Sequence, residues 1–462
     1  MNPVPTANSI MAKRVKISVC TVGCRANQAD SAALLRGIDG SRFEAVDDLG
    51  PADVVVVNTC CVTAEAERDC RKLVRRAERA AKGAAILVTG CAVNAIPGFV
   101  ARLVGSSASR VEVAADPQSL SAWLTEFARS RQEGGDEPRP YERCETGRSV
   151  HSVYDDSERG DAVHPRPQKR TRALLKVQNG CSHGCAYCIV PAARGKERST
   201  PIAEAVDGAA RLADEGYREL VLTGVQLGAW GKDLPGRPRL ASLVGAVADR
   251  FAPGRVRLSS VEPWSVDDAL LEVVAGHPGV CPHLHVPLQS GADRVLALMG
   301  RGYAVRDFAA LAEAALGRIP GLAFGTDVLC GFPTETADDH GRSLRAVADL
   351  GFTYVHAFPY SPRPGTRAAT LGSSPGRTVA RERVREVRAA GEEAKRRFVD
   401  SQIGAQREAI VEASRGGVAR GLTDNFLPVE IAGAAGIGEL LRVRIEDRGR
   451  GPAARAVVIS LK

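Results

Sequence analysis

Short apolar runs alternate along the chain with longer stretches in which apolar positions recur every three to four residues. Residues 16–19 read as a strand and 28–38 as a helix. Residues 53–57 are a valine run, 64–81 a charged helix with Leu73 and Ala77 on one face, and 85–88 a third strand. Strands separated by helices predict a parallel sheet, because parallel neighbours need crossover connections. Residues 130–168 are polar and rich in Gly, Pro and charge, the composition of a linker. The alternation then resumes, with strands predicted at 174–177, 220–223, 256–259, 283–287, 324–329 and 354–358. Between the first two, Thr200 and Pro201 read as a helix cap and first turn. Ile202, Val206, Ala209 and Ala213 continue as a helical stripe that stops at Gly216. This stretch predicts a partial or complete β/α (TIM-like) barrel, with functional residues just after the strands. Residues 378–397 are a strongly charged helix. The tail then changes period: Leu441, Val443 and Ile445 alternate, as do Val457, Ile459 and Leu461, which predicts a small antiparallel β module.

The fold class is therefore α/β, with an open parallel sheet at residues 13–128, a linker at 129–168, a barrel at 169–400 and a β-barrel tail at 401–462. Composition supports a folded chain: 44% of the 462 residues are hydrophobic and 25% charged, a balance that excludes disorder, collagen-like repeats and coiled coil. The net charge of +8 is compatible with a polyanionic partner. Aromatics make up only 5%, so stacking on bases is not the main way such a partner is held. No apolar run approaches the roughly 20 residues that cross a bilayer. The segment MNPVPTANSIMAKRVK has no apolar stretch of a secretory kind. A cytoplasmic protein without membrane contact is expected.

Twelve cysteines change this picture. The cytosol keeps thiols reduced, so metal binding or catalysis is the first explanation. Cys181, Cys185 and Cys188 have the spacing CxxxCxxC directly after a predicted strand. Three thiolates on one tight loop can hold three corners of a cubane iron–sulfur cluster and leave the fourth iron open to an exchangeable ligand. A redox CxxC or a structural zinc site is the alternative, with His183 the local residue that could complete zinc coordination. Cys24, Cys60 and Cys91 lie shortly after the three N-terminal strands. Parallel strands present their carboxyl ends on one edge, so these three can converge on one site. Each alone reads equally as a small buried hydrophobe. Cys20, Cys61, Cys70, Cys144, Cys281 and Cys330 show no such pattern and are assigned to packing or surface, although Cys61 could compete for iron.

The loop GCSHGCAYCIVPAARG resembles the cluster loop of radical S-adenosylmethionine enzymes. Together with VGCRANQAD, NTCCVTAEAERDCRK, TGCAVN, RLSSVEP, HLHVPLQSG and FPYSPRPGT it resembles the methylthiotransferases, from about Val15 to the C-terminus. The resemblance implies two [4Fe-4S] clusters, one on Cys181, Cys185 and Cys188 and a second on Cys24, Cys60 and Cys91. It also implies S-adenosylmethionine as cofactor, an RNA-binding (TRAM-like) β-barrel tail, a tRNA substrate and an electron donor such as a flavodoxin or ferredoxin. Gly224 would let backbone approach the methionine end of the cofactor, or simply make a tight turn. Gln226 belongs to the same loop. Ser260 and Glu262 could bind its ribose or amino group, or lie in a solvated turn. Gln289 and Gly331 occupy corresponding places after later strands, with His283 and His285 read as structural histidines.

Among substrates of the family, the resemblance is to the N6-threonylcarbamoyladenosine branch, which methylthiolates C2 of that base at position 37, beside the anticodon. Prenylated tRNA adenosine and an aspartate of a ribosomal protein are the alternatives, and a non-catalytic iron–sulfur RNA-binding protein is the reading outside enzymes. A carbamoyl-threonine carboxylate calls for basic partners, which Arg194, Arg198, Arg363 and Arg367 could supply. The sequence departs from the wider family pattern at Ala92, Val93 and Asn94, and in doubling the cysteine at Cys61.

Overall fold

The structure is a computed structural model that describes residues 14–104, 111–114, 117–132, 171–449, 451 and 453–461. It divides into two units, Met1–Lys169 and Arg170–Lys462. The N-terminal segment read for a secretory signal lies mostly outside the described residues. So does the expected linker, except that the helix Pro117–Gln132 runs into its start.

In the first unit five parallel strands pair in the order β2-β1-β3-β4-β5: β1 (Val15–Thr21), β2 (Phe43–Ala45), β3 (Val54–Thr59), β4 (Ala85–Gly90) and β5 (Val111–Val113). The valine run forms β3, the central strand, and all six of its residues are buried. Stiff β-branched side chains suit a strand covered on both faces. Helices α1 (Arg25–Gly37), α2 (Ala64–Ala80) and α3 (Cys91–Ala95) follow β1, β3 and β4. Thr63 caps α2 by accepting from the Ala66 N–H at 3.0 Å, and Glu65 and Glu67 favour its positive N-terminal end. The order 2-1-3-4-5 places a topological switch point between β1 and β3, where ligands settle in open α/β sheets.

The second unit begins with six parallel strands. These are β6 (Arg172–Asn179), β8 (Glu219–Gly224), β9 (Arg255–Leu258), β10 (His283–His285), β11 (Ala323–Cys330) and β12 (Tyr354–Pro359); the short β7 (Arg198–Ser199) pairs antiparallel to β6. Among the described residues only isolated bridges, Val256 with Val280 and Ser260 with His285, connect the β9 and β10 segments. Among the described residues no pairing joins β12 back to β6, so the barrel is partial. Leu220, Leu222, Val256, Leu258, Leu284 and Phe324 carry its core against helices through Val244, Val247 and Phe308.

The helix expected to be capped at Thr200 instead begins at Ile202 with Pro201 at the cap position and no side-chain cap. The Thr200 N–H goes to the Val177 carbonyl at 2.8 Å, and its own carbonyl accepts from Trp230 Nε1 at 2.8 Å, so the residue is committed to extended backbone.

The charged helix spans Arg377–Gln402, through the expected boundary at residue 400. The tail closes as a barrel in the order β13-β14-β15-β17-β16, built from β13 (Gln406–Arg415), β14 (Val418–Thr423), β15 (Pro428–Ala432), β16 (Leu440–Asp447) and β17 (Ala454–Leu461). Its pairings are antiparallel except β15 with β17, which is parallel and closes the barrel. Leu441, Val443 and Ile445 point into its core, as their alternation predicts. Among the described residues no helix is long and apolar enough to cross a membrane.

Candidate functional site

Cys24, Cys60 and Cys91 all stand at the carboxyl edge of the first sheet. Cys24 is the N-cap of α1 after β1, Cys60 follows β3, and Cys91 opens α3 after β4. Cys60 and Cys91 are buried and Cys24 is exposed. The loops are drawn together by Asn27, one turn into α1 and fully buried. Its Nδ2 donates to the carbonyls of Val22 and Thr59, both at 2.9 Å, and its Oδ1 accepts from Cys91 Sγ at 3.6 Å. Gly23 (φ +110°) packs so closely that a Cβ there would fall 2.8 Å from Cys60 Sγ. Gly90 (φ +97°) leaves no room either, since a Cβ would meet Asn58 Oδ1 at 2.4 Å and the Thr59 backbone at 2.7 Å. Glycine is required at both positions by backbone angle and by space.

Burial pushes the Cys60 thiol up to about 12, and neighbouring Cys91 and Cys24 add to the rise. The three sulfurs thus share one field, and thiolates there need a positive centre to balance them. Cys70, assigned to packing, is buried behind the site and its Sγ accepts from the Cys60 N–H at 3.4 Å. Asn27 lies in the quoted motif GCRANQ, but one polar residue in a helix carries no periodic signal.

In the second unit Cys181, Cys185 and Cys188 follow β6 on one loop. It is tied down by bonds from the Cys181 N–H to the Gly195 carbonyl (2.9 Å), from Cys188 N–H to Cys185 O (3.2 Å) and from Ala186 N–H to Met299 O (2.7 Å). All three are partly buried. Burial raises the Cys181 thiol to about 11 and the Cys188 thiol to about 12, each further raised by the other cysteines of the loop. Arg301, buried and unforeseen from sequence, has Nη1 3.4 Å from Cys185 Sγ and pairs with Glu262. Its guanidinium lies 4.7 Å over the ring of Trp264, which in turn stacks on His183 at 4.3 Å. His183, the residue considered for zinc, is turned onto this aromatic face.

The expected cofactor-binding residues stand on the segments that follow β8, β9, β10 and β11. Gln226 Oε1 lies 3.2 Å from Cys181 Sγ, and its N–H donates to Gln178 Oε1 at 2.7 Å. A Cβ on Gly224 would meet Gln178 at 2.9 Å, so the small residue there makes room for that glutamine. Ser260 is exposed, beside the bridge to His285. Gln289 is buried at φ +67°, a conformation uncommon outside glycine, and its Oε1 has no hydrogen-bond partner. Such an acceptor keeps its capacity for a hydrogen bond that the folded chain does not use. Gly331 donates its N–H to Glu335, which is held by Arg383 at 3.2 Å. Arg367 Nη2 approaches the Gly184 carbonyl of the cysteine loop at 3.4 Å, and Arg194 donates to Asn179 Oδ1 at 2.8 Å. Arg363 is buried nearby in sequence, while Arg198 lies in β7.

Residues 16–105 match the family model described as Uncharacterized protein family UPF0004, and residues 175–347 match the Radical SAM superfamily. The chain is 30% identical to the threonylcarbamoyladenosine tRNA methylthiotransferase MtaB of Rickettsia prowazekii, over 95% of this chain and 96% of that protein. It is 31% identical to the Bacillus subtilis protein of the same name, over 93% of each. It is also 31% identical to the tRNA-2-methylthio-N(6)-dimethylallyladenosine synthase of Methylibium petroleiphilum, over 94% of each. Its fold resembles that of the radical S-adenosylmethionine methyltransferase TsrM from Kitasatospora setae, with a TM-score of 0.51 and 15% identity, covering 76% of this chain and 74% of that one. Two cysteine trios, each just past parallel strands, and relatedness along nearly the whole chain lead to one conclusion: the chain belongs to the radical S-adenosylmethionine methylthiotransferases, enzymes that carry two [4Fe-4S] clusters.

Proposed function

We propose that this enzyme methylthiolates C2 of N6-threonylcarbamoyladenosine at position 37 of tRNA, in the cytoplasm, with electrons from a flavodoxin- or ferredoxin-like donor. The observation that carries the reading is the pair of cysteine trios, soft donors gathered at two strand edges. Neither is spaced for a single ion: among the described residues only a histidine–aspartate cluster is that tight. Three soft thiolates apiece suit a cubane held at three corners.

When bound, the clusters and S-adenosylmethionine supply one-electron reduction, hydrogen removal from the base, sulfur and a methyl group. The chain's own residues position and tune. Arg301 places a positive charge beside Cys185, where it offsets thiolate charge, while Glu262 fixes the guanidinium. Gln289 presents its unpartnered oxygen to a donor on the cofactor, and Ser260 presents an exposed hydroxyl. Asn27 holds the three loops of the second trio in register.

The substrate assignment follows from charge. A threonylcarbamoyl carboxylate is matched by guanidinium groups, and Arg194 and Arg367 border the cysteine loop. The relative named for the dimethylallyl substrate, at similar identity, supports the prenyladenosine alternative. Mass spectrometry of tRNA nucleosides from cells with and without the protein decides between them. Loss of 2-methylthio-N6-threonylcarbamoyladenosine is expected. Loss of the methylthio-prenyl nucleoside instead would overturn the substrate, and an unchanged profile the whole reading.

A further inference from the structure

Away from the cysteines, the inner face of the partial barrel gathers two histidines and an aspartate from three adjacent strands. β10, β11 and β12 are parallel neighbours, and register sets Asp327 directly opposite His356. His285 Nε2 lies 3.0 Å from Asp327 Oδ1, and His356 Nδ1 lies 3.5 Å from the same oxygen. All three donor atoms fall within 4.8 Å of one another, and among the described residues no other trio of His, Cys, Asp or Glu is this tight.

We propose that His285, Asp327 and His356 form a mononuclear site for a divalent first-row metal ion, zinc by preference, separate from both cysteine trios.

The spacing is that of ligands around one ion. Donors held about 2.0–2.1 Å from a tetrahedral zinc stand about 3.3 Å apart, and the two histidine separations from Asp327 Oδ1, 3.0 and 3.5 Å, bracket that figure. Two imidazoles directed at a single carboxylate oxygen make a crowded hydrogen-bonding arrangement, since both would need a proton for one acceptor atom. The same geometry lets three lone pairs meet at a common centre. Two imidazoles with one carboxylate form a donor set that takes zinc or iron(II) and leaves further positions for water or a ligand oxygen.

The surroundings supply the outer support such sites need. Tyr354 Oη lies 3.0 Å from His285 Nδ1 and 2.8 Å from His283 Nε2. The hydroxyl has one proton. Given to His283 Nε2, it leaves the tyrosine oxygen to accept from His285 Nδ1–H, and the His285 Nε2 lone pair then faces the Asp327 carboxylate. With a cation between them, the hydroxyl would hold His285 through Nδ1–H and so set its tautomer and ring orientation, as outer partners of metal-bound histidines do. Burial is graded: the His285 side chain is 6% exposed, Asp327 21% and His356 60%, so the ion would have a fixed floor and an entry path. The Asp327 carbonyl accepts the Gln289 N–H at 2.8 Å, which links this cluster to the strained residue at the barrel mouth.

The test uses full-length protein with both clusters loaded, so that the cysteines are occupied. After an anaerobic chelator wash it is equilibrated with zinc chloride and desalted, and zinc and iron are measured by plasma mass spectrometry. About one zinc per chain is expected, with nitrogen and oxygen neighbours at about 2.0–2.1 Å by zinc-edge X-ray absorption. Asp327→Asn and His356→Gln should each reduce zinc retention at least tenfold with iron unchanged, and Tyr354→Phe should weaken zinc binding about 10–100-fold. His356 is exposed, so its replacement leaves folding intact. No zinc retained, equal retention in Asp327→Asn and His356→Gln, or sulfur neighbours at about 2.3 Å would each overturn the proposal.

Discussion

Arg257 and Glu219 are both wholly buried, joined by a hydrogen bond from Arg257 Nε to Glu219 Oε1 at 2.8 Å. Arg255 adds a second guanidinium at 2.6 Å from Glu219 Oε2. The Nη atoms of both arginines also reach into the tail. Arg257 donates to the carbonyls of Asp424 (2.8 Å) and Thr423 (2.9 Å), and Arg255 to those of Glu408 (2.7 Å) and Leu422 (2.9 Å). Phe426 completes the joint, 5.3 Å from the Arg257 guanidinium and 4.5 Å from the ring of His283.

Glu219→Gln should therefore destabilise the second unit by about 3–5 kcal/mol, because two buried guanidiniums lose their counter-charge. The pH dependence has a definite sign. Burial alone would raise the Glu219 carboxyl, but Arg257 and Arg255 override it and hold the group at about 2, below its ordinary 4.5. Its contribution is present above about 4.5 and lost as pH falls toward 2. Chemical denaturation of both proteins across that range should show the difference narrowing in acid. A constant difference would contradict the charge assignment.

Cys185→Ala should abolish reductive cleavage of S-adenosylmethionine, measured as 5′-deoxyadenosine. Cys60→Ala should spare that cleavage and eliminate methylthiolation. Identical losses in the two variants would refute the division of labour between the trios.

Asn27→Ala removes the donor to two loop carbonyls and the partner of Cys91. Stranding buried acceptors costs about 1–3 kcal/mol. Iron bound at the second trio should fall, as read by iron content with and without Asn27→Ala in a Cys185→Ala background, while in a Cys60→Ala background Asn27→Ala should leave the iron at Cys181, Cys185 and Cys188 unchanged.

Arg301→Met takes the positive charge from beside Cys185 and unpairs Glu262. The cluster potential should shift negative, and cofactor cleavage should slow roughly tenfold or more, the scale of one charge-assisted hydrogen bond. Potentiometric titration followed by electron paramagnetic resonance is the check.

Gln289→Leu eliminates an acceptor that has no partner in the folded chain, so stability should hold or rise. The KM for S-adenosylmethionine should increase about fivefold, the worth of a single hydrogen bond near 1 kcal/mol. A fall in melting temperature with KM unchanged would make Gln289 structural.

The elements that sequence reading found are those where period and burial agree. The valine run of β3 is apolar on both faces, and β16 alternates because only one face is buried. Cysteines placed after parallel strands were legible as a group because the sheet edge gathers them. The three-residue strands β2 and β5 were too short to show a period. Arg255 and Arg257 alternate with valine and leucine in β9, the pattern of a strand with one face in water. They are dry because another part of the chain covers them, and period cannot report that. Arg301 and Asn27 were illegible for a related reason: a single polar residue acquires its role only from what folding sets beside it. The residues expected to meet a cofactor, Ser260 to Gly331, stand after strands as their positions in the sequence suggest, while the inner face that carries His285, Asp327 and His356 is invisible until register is known.

The Arg255–Arg257–Glu219 joint also bears on how the β-barrel tail can be studied. Cutting it away would not simply remove a small appended barrel. It would uncap one end of the catalytic half, stripping four carbonyl acceptors and an aromatic lid from two buried cations and leaving them to share the one Glu219 carboxylate. A shortened enzyme that no longer modifies tRNA would then report a damaged core as readily as lost recognition, and point changes on the tail's outer surface are the cleaner instrument.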